Sequence, residues 1–142
     1  MLKSFFKKKK SVNLDNKYIL IASLLIHAAK IDENYTGLEK KIIREAMMDL
    51  NKLSAEKTDE LLKIAEKKEE ESNQIIEFTK EVKKYPMEFR LKIIEIIWKI
   101  VYSDNAKDVY ESNLIRRICG LLYVSDKDSG LIKTKVQKLS KL

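Results

Sequence analysis

One plan of helix, acidic corner and helix occurs twice in this chain, at a fixed offset of 72 residues, and this narrows the possible folds more than any other feature. Ile21 and Ile93, Asp32 and Asp104, Glu39 and Glu111, Ile43 and Ile115, and Arg44 and Arg116 are identical pairs at that offset. A repeat at fixed spacing indicates a fold built from two similar halves. In each copy an apolar segment, residues 18–29 and 91–102, leads into a polar corner. A second, amphipathic segment follows, entered through acidic residues.

Turn punctuation is sparse, with three Gly and one Pro in 142 residues, and no run alternates apolar and polar residues with period two. Helices joined by short corners are therefore expected, and no strands. Apolar spacing and capping residues predict about seven helices. The first spans residues 16–31 and is apolar nearly all round, as a buried central helix must be. Thr36 and Glu39 form a T-x-x-E capping box that opens a second helix over residues 37–51, with Ile42, Ile43, Ala46, Met47 and Leu50 as its apolar stripe. Ser54 caps a third helix ending near residue 70, and Ser72 a shorter fourth with Ile75, Ile76, Phe78 and Val82 inward. Pro86 suits the first turn of the fifth. There Lys92, Glu95 and Lys99 make one narrow polar stripe, and Trp98 lies among isoleucines. Asp108 and Glu111 open the sixth, whose core residues are Leu114, Ile115, Ile118, Leu121 and Leu122. Ser125 and Asp128 form a third box before a basic helix expected over residues 131–142. The expected fold is a compact all-α bundle of about seven helices with two similar halves. Residues 1–15 form a basic N-terminal tail and residues 16–142 the helical domain.

The net charge of +7 is placed at the ends. Residues 1–10 carry five Lys and residues 131–142 four, with no acid in either; removing those nine leaves residues 11–130 at −2. This is not the basic folded face of a nucleic-acid binder, which argues against that class. It suits attraction to an anionic surface. In the tail, Leu2, Phe5 and Phe6 are placed to insert into a membrane surface while Lys3, Lys7, Lys8, Lys9 and Lys10 meet headgroups. The rival reading is a frayed terminus. Leu2 stands where N-myristoylation requires glycine. Residues 18–29 align with an interior helix, so they read as retained structure and not as a cleaved signal. The single cysteine, Cys119, allows no intramolecular disulfide and fits a reducing compartment.

The acidic corners are the one constellation with chemistry in it. Asp32, Asn34, Thr36 and Gly37 match the first, third, fifth and sixth places of a calcium-binding EF-hand loop, but the twelfth place, which requires a bidentate Glu, is Ile43, and Ile115 in the second copy. An ordinary EF-hand is excluded. A looser oxygen site for a divalent cation (Ca²⁺, Mg²⁺ or Mn²⁺) built from Asp32, Glu33, Asn34 and Glu39, with Asp104, Asp108 and Glu111 in the second copy, is one reading. The other is that these residues hold corner backbone and cap helices. Arg44 and Arg116 either pair with these acids or are plain surface charges. His27 has no second imidazole to share a metal and reads as structural. Cys119 reads as a small core residue. Phosphate-binding glycine loops, Cys–His pairs and G-x-S-x-G elbows are absent from the sequence, and no catalysis is expected.

These residues resemble the tellurite-resistance TerB-like family, itself similar to the N-terminal domain of the DjlA co-chaperone. The similarity is carried by Ala29 and Asp32 with Glu39, by Asp104 with Glu111 where Val101 replaces the alanine, and by I-I-E-F-T followed by P-M-E-F-R-L-K-I-I-E-I-I-W over residues 75–98. It spans roughly residues 16–136. The chain departs from the family at the corner glycines, which are Glu33 and Asn105. The resemblance implies an all-helical fold with two similar halves. It also implies a non-enzymatic, cytoplasmic accessory protein tied to stress response, in some members peripheral to the inner face of the membrane. That protein acts on a protein partner or membrane surface, with weak divalent-metal binding at acidic residues. A pure interaction scaffold or co-chaperone-like module without metal is the alternative.

Overall fold

The computed structural model describes the backbone of residues 2–30, 36–72, 75–103 and 109–140, and the side chains of residues 16–30, 36–72, 75–103 and 113–139. Among the described residues there are seven helices and no strand. They are α1 (Leu2–Ala29), α2 (Gly37–Asn51), α3 (Ala55–Glu71), α4 (Ile76–Val82), α5 (Met87–Ser103), α6 (Val109–Leu121) and α7 (Asp126–Ser140). The duplicated plan appears as α1–α2 and α5–α6.

The ends of the helices follow from local chemistry. Glu39 N–H donates to the Thr36 hydroxyl at 3.1 Å, opening α2 where the capping box places it. Lys57 N–H bonds Ser54 Oγ at 3.3 Å, and Asp128 N–H bonds Ser125 Oγ at 3.1 Å. The Ser125 cap starts α7 at Asp126, earlier than the expected residue 131. Ser72 does not cap α4: its N–H bonds the Glu69 carbonyl at 3.2 Å and closes α3, while its hydroxyl bonds the Glu77 carboxylate. Pro86 stands just before α5, its carbonyl accepting from the N–H groups of Phe89 and Arg90. The largest difference is at the start of α1. Its helix begins at Leu2 and not near residue 16; residues 2–15 contain no Gly or Pro and are rich in Lys, which tolerates helix well.

The apolar segments of α1 and α5 form the centre. Ile21, Ala22, Leu24, Leu25 and Ile26 of α1 and Ile93, Ile94 and Ile97 of α5 have no exposed surface. The helix α1 lies mainly on α3 and also meets α4, α2 and α5; α5 lies mainly on α7 and also meets α2 and α6. Small residues allow the α1–α3 crossing. Ala22, Ser23 and Ala65 are fully buried there, and Ser23 Oγ reaches the carbonyls of Ile19 (2.7 Å) and Ala65 (3.3 Å). Lys17 Nζ sits 4.3 Å from the ring centre of Tyr85 and 4.8 Å from that of Phe89, tying α1 to the α4–α5 turn. Arg90 bonds the carbonyls of Tyr85 (2.9 Å) and Leu122 (2.6 Å), which fixes the same turn against the end of α6.

Candidate functional site

The apolar surface of α2 is wider than the core needs. Ile43 and Met47 are fully buried, but Ile42, Ala46 and Leu50, on the adjoining rows of the helix, are only half-buried, and Leu38 is 53% exposed. These four recur every fourth residue and form a wall. The polar stripe of α5 lies opposite: Lys92, Glu95 and Lys99 run along it, with Ile96, Tyr102 and Ser103 beneath. Val136 and Leu139 of α7 close the third side. Together the three helices frame an open groove of about 440 Å³ with a mostly apolar floor. From Leu38 to Leu50 it runs for roughly 18 Å at the α-helical rise.

Side chains on either side of the floor are held in place. Tyr102 stacks on Trp98 at 5.8 Å between centroids, and its hydroxyl is bonded by Gln137 of α7. Burial pushes the Tyr102 phenol above its ordinary range, and the Gln137 bond opposes the shift. Lys135 of α7 pairs with Glu95 at 3.1 Å across the α5–α7 edge. Trp98 Nε1 donates to Ser129 Oγ at 3.1 Å below this edge.

Of the acidic corner residues, Glu39 is described. It is 3% exposed, and the Thr36 hydroxyl donates to its Oε1 at 3.1 Å. These bonds place Glu39 in the capping turn of α2. Among the described residues, no group of three or more His, Cys, Asp or Glu is placed to hold a metal ion. Asp32, Glu33, Asn34, Asp104 and Asp108 lie outside the described residues, as does the side chain of Glu111. The side chains of Leu2, Lys3, Phe5, Phe6, Lys7, Lys8, Lys9 and Lys10 also lie outside them, while the backbone there belongs to α1.

Other singled-out residues have structural surroundings. His27 Nδ1 lies 3.2 Å from Glu69 Oε1, and Lys30 Nζ lies 2.9 Å from Glu69 Oε2, so a largely buried carboxylate of α3 holds the end of α1. Arg44 pairs with Asp59 of α3 at 2.7 Å. The guanidinium hydrogen bond holds the Asp59 carboxyl below the ordinary carboxylate range. Cys119 is buried, and burial pushes its thiol up.

The groove is the feature that reading the sequence missed. Its signal was present in the surplus rows of α2, where Leu38, Ile42, Ala46 and Leu50 add a second apolar stripe beside Ile43 and Met47. No helix among the described residues is long and apolar enough to cross a membrane.

No curated protein and no solved structure matches the chain. The family model described as tellurite resistance protein TerB matches residues 19–134, from the buried part of α1 into α7, and so covers both halves and the α2 and α5 walls of the groove. On that match, carried by most of its length and by an all-helical fold, the chain belongs to the TerB family.

Proposed function

We propose that this TerB-family chain is a non-enzymatic accessory protein in stress response, acting in the cytoplasm by holding a helical segment of a protein partner in the groove between α2, α5 and α7. The observation that carries the reading is the open apolar floor. Ile42, Ala46 and Leu50 of α2 and Tyr102 of α5 are left half-exposed, with Leu38 and Leu139 exposed at its edges. An unfilled apolar groove bounded by charged residues is the surface into which amphipathic helices lie. The absence of a nucleophile–base pair or cofactor loop in the sequence supports the non-catalytic part. Divalent-cation binding at the corners is not needed by this reading.

A photo-crosslinking residue placed at Leu139 tests it in cells, with one at Ile64, an exposed residue of α3, as reference. The expected result is a discrete protein adduct from the Leu139 position that disappears when Ala46→Arg fills the groove. Equal adduct patterns at both positions, or no loss with Ala46→Arg in a chain that stays folded, would count against it.

A second reading has its own support. Because α1 is helical from Leu2, Leu2, Phe5 and Phe6 fall at i, i+3 and i+4 of a helix that also carries five lysines. Such a segment suits reversible docking on an anionic leaflet, with ~1 kcal/mol per lysine decaying within a Debye length of ~8–10 Å. Co-sedimentation with anionic vesicles at low salt is expected to fall when residues 1–10 are removed. Equal, negligible pelleting of both chains ends the membrane reading.

A further inference from the structure

The charges that border the groove are sorted by side. On α2 the lining charges are Glu45 and Asp49, both exposed and one turn apart. On α5 they are Lys92, Glu95 and Lys99, but Glu95 is neutralised by Lys135, leaving Lys92 and Lys99, both exposed, as the free charges of that side. The groove thus has an acidic bank and a basic bank with an apolar floor between them. Among the described residues no ion pair joins the two banks. Opposite charges left facing each other across an open apolar channel are each available to a third body lying in it.

We infer that the occupant is an amphipathic helix of a partner protein whose apolar stripe has basic residues along one flank and acidic residues along the other. This rests on the groove being a docking site. The basic flank lies by Glu45 and Asp49, and the acidic flank by Lys92 and Lys99. A helix of about three turns, ~16–18 Å at 1.5 Å per residue, spans the floor. Reversing the direction of a helix in a groove exchanges its flanks. The sorted banks therefore select one direction as well as one class of sequence, which is the usual work of charges at the rim of an interface. The chain's own N-terminal segment does not meet the requirement. Residues 2–10 place lysines on both sides of the Leu2, Phe5 and Phe6 register and carry no acid. One of its flanks would meet Lys92 and Lys99.

The test is fluorescence anisotropy of the full chain with three labelled 16-residue helical peptides that share a leucine stripe. One has a Lys flank and a Glu flank, one has Lys on both, and one has Glu on both. Opposing two like charges in place of two opposite ones amounts to roughly a tenfold loss of affinity at low salt. The split peptide is expected to bind about tenfold more tightly than either other, with the gap closing as salt rises. In the variant with Glu45→Lys and Asp49→Lys, exposed positions that do not touch the core, the preference should pass to the all-Glu peptide. Equal binding of all three peptides to both chains overturns the charge sorting and leaves the docking site standing. Binding of none overturns the docking site itself. A concentration-dependent dimer in sedimentation that Leu38→Asp abolishes would show that a second copy covers the groove, and would overturn the partner assigned here.

Discussion

Ser129 shows how single residues join the helices that carry the groove. It is buried on α7, accepts from Trp98 Nε1 of α5 and shares a hydrogen bond with Cys119 of α6. Trp98 is 6% exposed and stacks on Tyr102. Trp98→Ala should therefore cost ~3–5 kcal/mol, read as a shift in the urea midpoint. Ser129→Ala is smaller in volume but leaves the indole N–H without its partner, and about 1–3 kcal/mol is expected. Cys119 adds a dependence on pH. Burial raises its folded-state pKa above the unfolded value, so the neutral thiol is favoured in the fold. This contribution is complete below the ordinary thiol range and is lost as pH rises through the raised value. Stability measured from pH 7 upward should fall in the alkaline range. It should fall less in Cys119→Ala, once the cavity cost is referenced to pH 7. Parallel curves for the two chains would contradict the assignment.

At the scale of elements, most of what is seen could be read from residues. The apolar run of α1 left almost no polar face for water, and that of α5 only one narrow stripe, so their burial followed from the residue pattern. Thr36, Ser54 and Ser125 marked helix starts because hydroxyl caps act over three residues of local sequence. The groove was not legible in that way. It depends on where α2, α5 and α7 come to rest, and the α5 polar stripe that sequence assigns to solvent turns out to line it. The end of α6 was equally hidden. Val124 N–H bonds the Cys119 carbonyl at 2.8 Å and Tyr123 N–H that of Gly120 at 3.3 Å, an arrangement that normally has glycine in the left-handed position. Tyr123 occupies it with φ 56°. Gly120, the glycine nearest by, is in ordinary helix, and a methyl group there would meet nothing within 4 Å. The two residues are each in the wrong place for backbone energetics. Gly120→Ala and Tyr123→Gly should each stabilise the chain by about 0.5–1 kcal/mol. Thermal melts that show either substitution to be destabilising would contradict the geometry of this turn.

For the whole molecule, the two copies of the plan supply α1 and α5 as a shared centre, and α3, α4 and α7 cover it. That arrangement satisfies the core without using all of α2's apolar rows, which leaves the groove as a surface on a packed scaffold and not as a defect in it. The central claim is that a helix lies in that groove. Backbone amide shifts of the labelled full chain, recorded during titration with the split-flank peptide, test it most directly. The account predicts that the amides of Ile42, Ala46, Leu50, Ile96, Tyr102 and Leu139 move together and saturate, while those of Ile64, Ile76 and Tyr123, exposed elsewhere, stay in place. Shifts centred on Ile64, Ile76 or Tyr123, or no shifts at saturating peptide, would contradict it.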